Sequence, residues 1–155
     1  MAIGLIVALA ACFGAAALGS IFTTPRLGDW YANIRKPAWT PPSWLFAPVW
    51  TLLFIMMAVS VWLVWLRAGF AGASWAFALF AVQLALNVLW SALFFGMRNP
   101  AAAFAEVIVF WLAIAATALA FSRIDALSAL LLVPYLLWVA FAAILNFAIW
   151  RLNAS

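Results

Sequence analysis

Apolar residues run along this chain in five long stretches, about 2–22, 44–66, 74–96, 101–121 and 127–150. Each reaches the roughly 20 residues that a helix needs to cross a hydrocarbon core, so each predicts a transmembrane helix. Three of the breaks are short: Arg67 with Gly69 and Gly72, then Arg98-Asn99-Pro100, then Arg123 with Asp125. The first break is long. Residues 23–43 hold Pro25, Pro37, Pro41 and Pro42, too many prolines for a continuous helix, and long structured connections tend to carry function. The pattern predicts an all-α integral membrane protein. It is one domain over 1–155, a five-transmembrane-helix bundle with a long Pro/Trp-rich first loop.

Composition sharpens this. The chain is 72% hydrophobic and only 6% charged, where a soluble domain carries about 25% charged residues. The polar surface cannot clothe a globule in water. Cys12 is the single cysteine, which excludes an internal disulfide, and there is no histidine. Most zinc sites, His-based acid/base chemistry and His-ligated haem are thereby removed, and no metal site is expected. The first stretch lacks the basic n-region of a secretion signal and exceeds the usual h-region, so it reads as a span.

The seven basic residues are scattered at Arg26, Arg35, Lys36, Arg67, Arg98, Arg123 and Arg151. They sit mostly where apolar runs end, and without a basic stripe nucleic acid is not an expected partner. Arg26, Arg35, Lys36, Arg98 and Arg151 fall on the side of the first loop and the C-terminus, against Arg67 and Arg123 on the other. The positive-inside rule places the first loop and C-terminus in the cytoplasm.

At 100° per residue, Gln83, Asn87, Trp90, Ser91 and Phe94 share one face of the third span. Ser74, Ala78, Ala81, Ala85 and Ala92 lie opposite. The amides at i and i+4 either meet a ligand or knit helices together. The small face permits close helix approach, within the bundle or as a homodimer seam. In the fifth span Trp138, Ala142, Leu145 and Asn146 share a face, and in the second Trp50 and Phe54 stack at i and i+4. Among eleven tryptophans, Trp30, Trp44, Trp65 and Trp150 fall near predicted ends, as in an interfacial belt. Trp50, Trp90 and Trp138 lie deeper, and such convergent aromatics suit a flat hydrophobic ligand. Glu106 is the one carboxylate within a span, about one and a half turns past Pro100, within reach of the interface or of Arg98.

The run from Trp30-Tyr31-Ala32-Asn33 through Arg35-Lys36-Pro37-Ala38-Trp39-Thr40-Pro41-Pro42-Ser43-Trp44, continued by Phe46-Ala47-Pro48-Val49-Trp50-Thr51, resembles the signature loop of the TspO family of tryptophan-rich sensory and translocator proteins. Leu86-Asn87-Val88-Leu89-Trp90-Ser91 and Pro134-Tyr135-Leu136-Leu137-Trp138 agree, and the likeness covers essentially the whole chain. The resemblance implies a pocket under the first loop that binds porphyrins such as protoporphyrin IX, isoquinoline carboxamides and benzodiazepines. Its lining by resemblance is Tyr31, Trp39, Pro42, Trp50, Phe54, Asn87, Trp90, Trp138, Ala142 and Leu145. No cofactor is required, since the porphyrin is the ligand. Homodimers are common in the family, and the face of Ser74, Ala78, Ala81, Ala85 and Ala92 is the expected seam. Two positions depart from the pattern: Phe147 replaces the Tyr of the animal members' cholesterol motif, which speaks against sterol binding, and Phe54 stands where many members have tyrosine.

The expected function is therefore a membrane receptor or carrier for porphyrins, in tetrapyrrole transport, sensing or stress regulation. One alternative is light- and oxygen-dependent porphyrin degradation, proposed for some family members. No nucleophile–base pair or nucleotide-binding glycine motif supports ordinary catalysis, and no catalytic residue is expected. The other alternative is an ion-coupled transporter, for which Glu106 is the sole intramembrane ionisable candidate and no internal repeat is visible.

Overall fold

The computed structural model describes residues 1–154, so the expected domain of 1–155 extends one residue beyond it. The elements are α1 (Ala2–Leu27), a short α2 (Trp30–Asn33), α3 (Phe46–Gly72), α4 (Ser74–Ser91), α5 (Pro100–Ser122) and α6 (Ala126–Asn153). A 3₁₀ turn, Ser43–Leu45, leads into α3, and a π-helical turn, Ala92–Gly96, prolongs α4. The five long helices are each apolar and long enough to cross a membrane.

The helices are bounded by local chemistry. Asn99 caps α5, its Oδ1 accepting from Ala102 N at 3.1 Å, and Pro100 fills the first helical position, where its missing N–H is not needed. Gly69, with φ 66°, breaks α3 four residues after Trp65 in a conformation open to glycine. Three ends run further than the pattern predicts, α3 among them, which reaches Gly72. The first helix continues to Leu27 through Pro25, because a proline in the last turn forfeits a single backbone bond, and Arg26 there complements the helix dipole. The last helix continues past Trp150 to Asn153.

The long helices close a ring in which α1 packs on α3 and α4, α4 on α5, α5 on α6 and α6 on α3. Its centre is a dry core that includes Met57, Ala58, Val64, Phe110, Ile114, Phe121 and Tyr135. Large apolar side chains such as Ile6, Leu52, Leu119, Leu130 and Leu137 point outward, as suits a lipid solvent. Polar side chains stitch neighbours together: Ser60 Oγ donates to Ser128 O at 2.7 Å, and Trp111 Nε1 to Leu136 O at 3.0 Å.

Glu106 departs from expectation. It neither reaches the interface nor pairs with Arg98; it is 9% exposed, and both its carboxyl oxygens lack a hydrogen-bond partner. The ion pairs among the described residues are Arg26–Asp29 and Arg67–Asp125. The physical reason is phase: Ala103, Glu106, Val107 and Phe110 share the inward face of α5 at i, i+3, i+4 and i+7, so the helix that buries the others buries the carboxyl too.

At the end away from the long loop, Asp125 caps α6, accepting from Ser128 Oγ and Ser128 N at 2.8 Å each, and faces Arg67 Nε at 3.3 Å. The Ser128 hydroxyl first, then its amide and the Arg67 guanidinium, hold this carboxyl below the ordinary aspartate range. A lowered folded value means stabilisation that is present above about pH 4 and lost as pH falls through that value. Asp125→Asn, which keeps a capping oxygen but drops the charge, is expected to melt below the parent at pH 7 in detergent. The two melting curves should converge below about pH 4; a gap that ignores pH would contradict the role of the charge.

Candidate ligand site

The site is built where the long loop meets the ends of α3, α4 and α6. Phe46, Trp50 and Phe54 repeat at i, i+4 and i+8 along α3, and Trp50 lies 5.8 Å from Phe54 at a tilt of 35°. From α4 come Asn87, Trp90 and Ser91, and the π turn adds Phe94, on which Trp90 stacks at 5.1 Å and 17°. A π turn holds one residue more than an α turn, and here the adjacent Phe94 and Phe95 are both buried. Trp138, Phe141, Ala142 and Leu145 complete the wall from α6.

Local hydrogen bonds fix these groups. Asn87 Nδ2 donates to Tyr135 Oη at 2.8 Å, and Tyr135 Oη donates to Gln83 Oε1 at 2.7 Å. Trp90 Nε1 donates to Asn146 Oδ1 at 3.0 Å, while Asn146 Nδ2 donates to Pro100 O at 2.7 Å. The amide pair thus knits α4 to α6 and, through Asn87, also faces the cavity.

The loop is anchored rather than loose. Asn153 of α6 pairs with Arg35 as a strand would, accepting from Arg35 N at 3.1 Å and donating to Arg35 O at 2.8 Å. Lys36 Nζ donates to Tyr31 O at 2.5 Å and Ile34 O at 3.2 Å, and sits 4.8 Å from the Tyr31 ring centre. Tyr31, 2% exposed, packs on Phe46 at 6.0 Å and Phe95 at 5.7 Å. Burial pushes its phenol up to about 12, so at neutral pH the hydroxyl keeps its proton.

These groups enclose a cavity of about 500 Å³, within the roughly 300–1,000 Å³ of sites for small molecules. Eight of the ten residues expected from the sequence line it: Tyr31, Trp50, Phe54, Asn87, Trp90, Trp138, Ala142 and Leu145. Trp39 and Pro42 do not. Trp39 is half exposed and rests against Phe141 at 5.9 Å, behind the wall, and Pro42 is exposed as the cap of the 3₁₀ turn. The sequence reading missed the whole contribution of α1, where Phe13, Ala16, Gly19, Ser20 and Thr23 form one side. It also missed Phe141, whose phase with Trp138 and Ala142 was the available signal. The wall is thin between α1 and α3: Ala17, Ser20, Thr24, Ala47 and Thr51 line the cavity while remaining exposed.

The other expectations sort by position. Ser74, Ala78, Ala81 and Ala85 form an exposed small face on α4, whereas Ala92 turns toward α1 beside Phe22. Trp44 and Trp65 are exposed near helix ends, but Trp30 packs on Phe94 at 5.5 Å and Trp150 on Phe104 at 5.8 Å. Phe147 joins that outer cluster, 5.1 Å from Phe104.

Comparison with known proteins supplies a second line. The model of the TspO/MBR family matches residues 6–151. The chain is 45% identical over 150 residues to the tryptophan-rich protein TspO of Chlorobaculum tepidum, covering 92% of this chain and 90% of that protein. It is 43% identical over 145 residues to the tryptophan-rich sensory protein of Cereibacter sphaeroides, covering 94% and 88%. To the translocator protein of Homo sapiens it is 39% identical over 138 residues, covering 88% and 82%.

Proposed function

The chain belongs to the TspO/MBR family, and from that premise we propose that it is a membrane receptor or carrier whose cavity binds porphyrins such as protoporphyrin IX and similar flat hydrophobic molecules. It serves tetrapyrrole transport, sensing or stress regulation. The observation that carries this reading is the wall itself: Trp50, Trp90, Phe94, Trp138 and Phe141 converge from three helices on one 500 Å³ space under the first loop. Aromatic faces favour a flat apolar body, and the ring of helices keeps it from water. Relatives carry the names of sensory and translocator proteins, and neither name describes an enzyme. The first loop and C-terminus face the cytoplasm in this reading, because five of the seven basic residues cluster at that end.

The test is a protoporphyrin IX titration of the detergent-purified protein, followed by quenching of tryptophan fluorescence, with Asn87→Ala alongside. Saturable quenching at micromolar or lower ligand, weakened by the substitution, supports the reading. Linear quenching that ignores it means partition into micelles and removes the reading.

The exposed small face of α4 supports a homodimer, since Ser74, Ala78, Ala81 and Ala85 allow two helices to approach closely. An Ala81→Cys variant is expected to form a cross-linked dimer on oxidation in membranes; a chain that stays monomeric there argues against this seam. The photochemical alternative has its own observation, the two half-buried indoles of Trp50 and Trp138 in the wall. Porphyrin bleaching at equal rates with and without the protein would exclude it.

A further inference from the structure

A second recess lies on the outer surface of the bundle, at the end that carries most of the basic residues. Ile21, Phe22, Pro25 and Arg26 of α1 form one bank, and Ala92 and Gly96 of the π turn with Met97 form the other. Its volume is about 320 Å³, and it shares no lining residue with the ligand cavity. The banks meet closely because of a glycine: a Cβ on Gly96 would lie 2.8 Å from Phe22 Cδ1. Ile21, Phe22 and Met97 are exposed, so in a membrane the recess opens to lipid.

Its polarity runs one way. Among the described residues that line it, Arg26 carries the charge and the others are apolar. The Arg26 side chain makes one hydrogen bond among the described residues, Nη1 donating to Asp29 Oδ2 at 3.5 Å. Asp29 is well exposed, and exposed pairs of this kind contribute little. A guanidinium has five N–H donors, so most of those on Arg26 are free for an acceptor. Beside it, Pro25 has no N–H, which leaves the Ile21 carbonyl without its helical partner. A rim that both donates and accepts therefore stands over an apolar floor.

The surrounding charge has one sign. Arg26, Arg35, Lys36, Arg98 and Arg151 lie at this end, and Asp29 is the acid at the surface among them. Free phosphate would satisfy the guanidinium but leave the apolar floor bare. A zwitterionic lipid would cover the floor but bring its own cation to a positive surface. An anionic phospholipid meets both demands, and basic recesses between spans are suited to such headgroups.

We infer that the recess between α1 and the π turn is a binding site for an anionic phospholipid, with Arg26 on the phosphate and an acyl chain along Phe22 and Met97. The site does not depend on the porphyrin reading, because no cavity residue takes part in it.

The experiment titrates the detergent-purified full chain with phosphatidylglycerol or phosphatidylcholine of identical acyl chains, and reads the retained lipid in native mass spectra. The parent is expected to bind the first phosphatidylglycerol about 5-fold more tightly than phosphatidylcholine. Arg26→Gln is expected to remove that preference. Asp29→Asn keeps a capping oxygen but releases the guanidinium, and is expected to raise the preference by about 2-fold. Arg151→Gln deletes a charge at the same end but outside the recess, and is expected to leave the preference unchanged.

Equal binding of the two lipids by the parent would overturn the inference. So would a preference that Arg26→Gln leaves intact or that Arg151→Gln lowers as much, since that is a diffuse positive field and not a site. If oxidative cross-linking of Ala81→Cys expelled the retained phosphatidylglycerol, a second copy would be the occupant and the inference would fall.

Discussion

Trp50→Ala and Trp138→Ala are each expected to weaken protoporphyrin IX by about 10- to 100-fold. An aromatic side chain presents about 150–250 Å², and each of these half-buried rings turns part of that area to the cavity. If about 100 Å² of each ring is covered by ligand, the lost burial is about 2.5 kcal/mol at 25 cal/mol per Å², close to two decades in affinity. Incomplete desolvation in the truncated cavity lowers the figure, hence the range. Trp44→Ala is the control, because Trp44 is 71% exposed and does not line the cavity. Parent-like binding by both cavity variants would show that the ligand sits elsewhere. Melting temperatures must be measured alongside, since Trp50 also packs edge-on against Tyr135 at 6.2 Å.

Tyr135→Phe is the second large effect, in stability rather than affinity. The ring stays in place, with its contacts to Phe110 at 6.0 Å and Trp50. The hydroxyl is lost, and with it the partner of both Asn87 Nδ2 and Gln83 Oε1. Interhelical hydrogen bonds in membranes average about 0.6 kcal/mol, because an opened helix finds other partners. Here two buried amides are stranded at once, and each stranded group costs about 1–3 kcal/mol. The expected loss is therefore up to about 2–6 kcal/mol in total, read as unfolding in a detergent–denaturant titration. Gln83→Leu added to Tyr135→Phe removes one stranded amide, so the pair should lose less than the sum of the two single changes. Strict additivity, or a parent-like Tyr135→Phe, would mean that the network contributes little.

The five spans were legible because lipid imposes a strict length and an almost uninterrupted apolar run, and both can be read from residue types alone. The faces of α4 and α6 were legible because polar and aromatic residues recur there at helical spacing. Gln83, Asn87 and Trp138 were found in this way. What α1 contributes was hidden for the opposite reason: Ala16, Gly19 and Ser20 line the cavity by being small, and an alanine-rich helix offers no polar marker to set its phase. The resemblance carried Trp39 and Pro42 into the lining, but the run of prolines stiffens the loop into a path that leaves Trp39 outside Phe141. Glu106 was misplaced because distance from the helix start was weighed above phase, and phase decides which side of a helix is covered.

The π turn at Ala92–Gly96 has a consequence for length. Deleting any one of its five residues would restore a regular α-helix with no loss of apolar character, and hydropathy would not register the change. The part of the third span that holds Gln83 and Asn87 would keep nearly its phase against the turn that leads to Arg98, because the π turn spreads five residues over about the rotation that four make in an α-helix. What the deletion would remove is the adjacency that lets Phe94 and Phe95 both be buried. A residue inserted or deleted elsewhere in the span, where no π turn absorbs it, would instead turn one end by about 100° against the other.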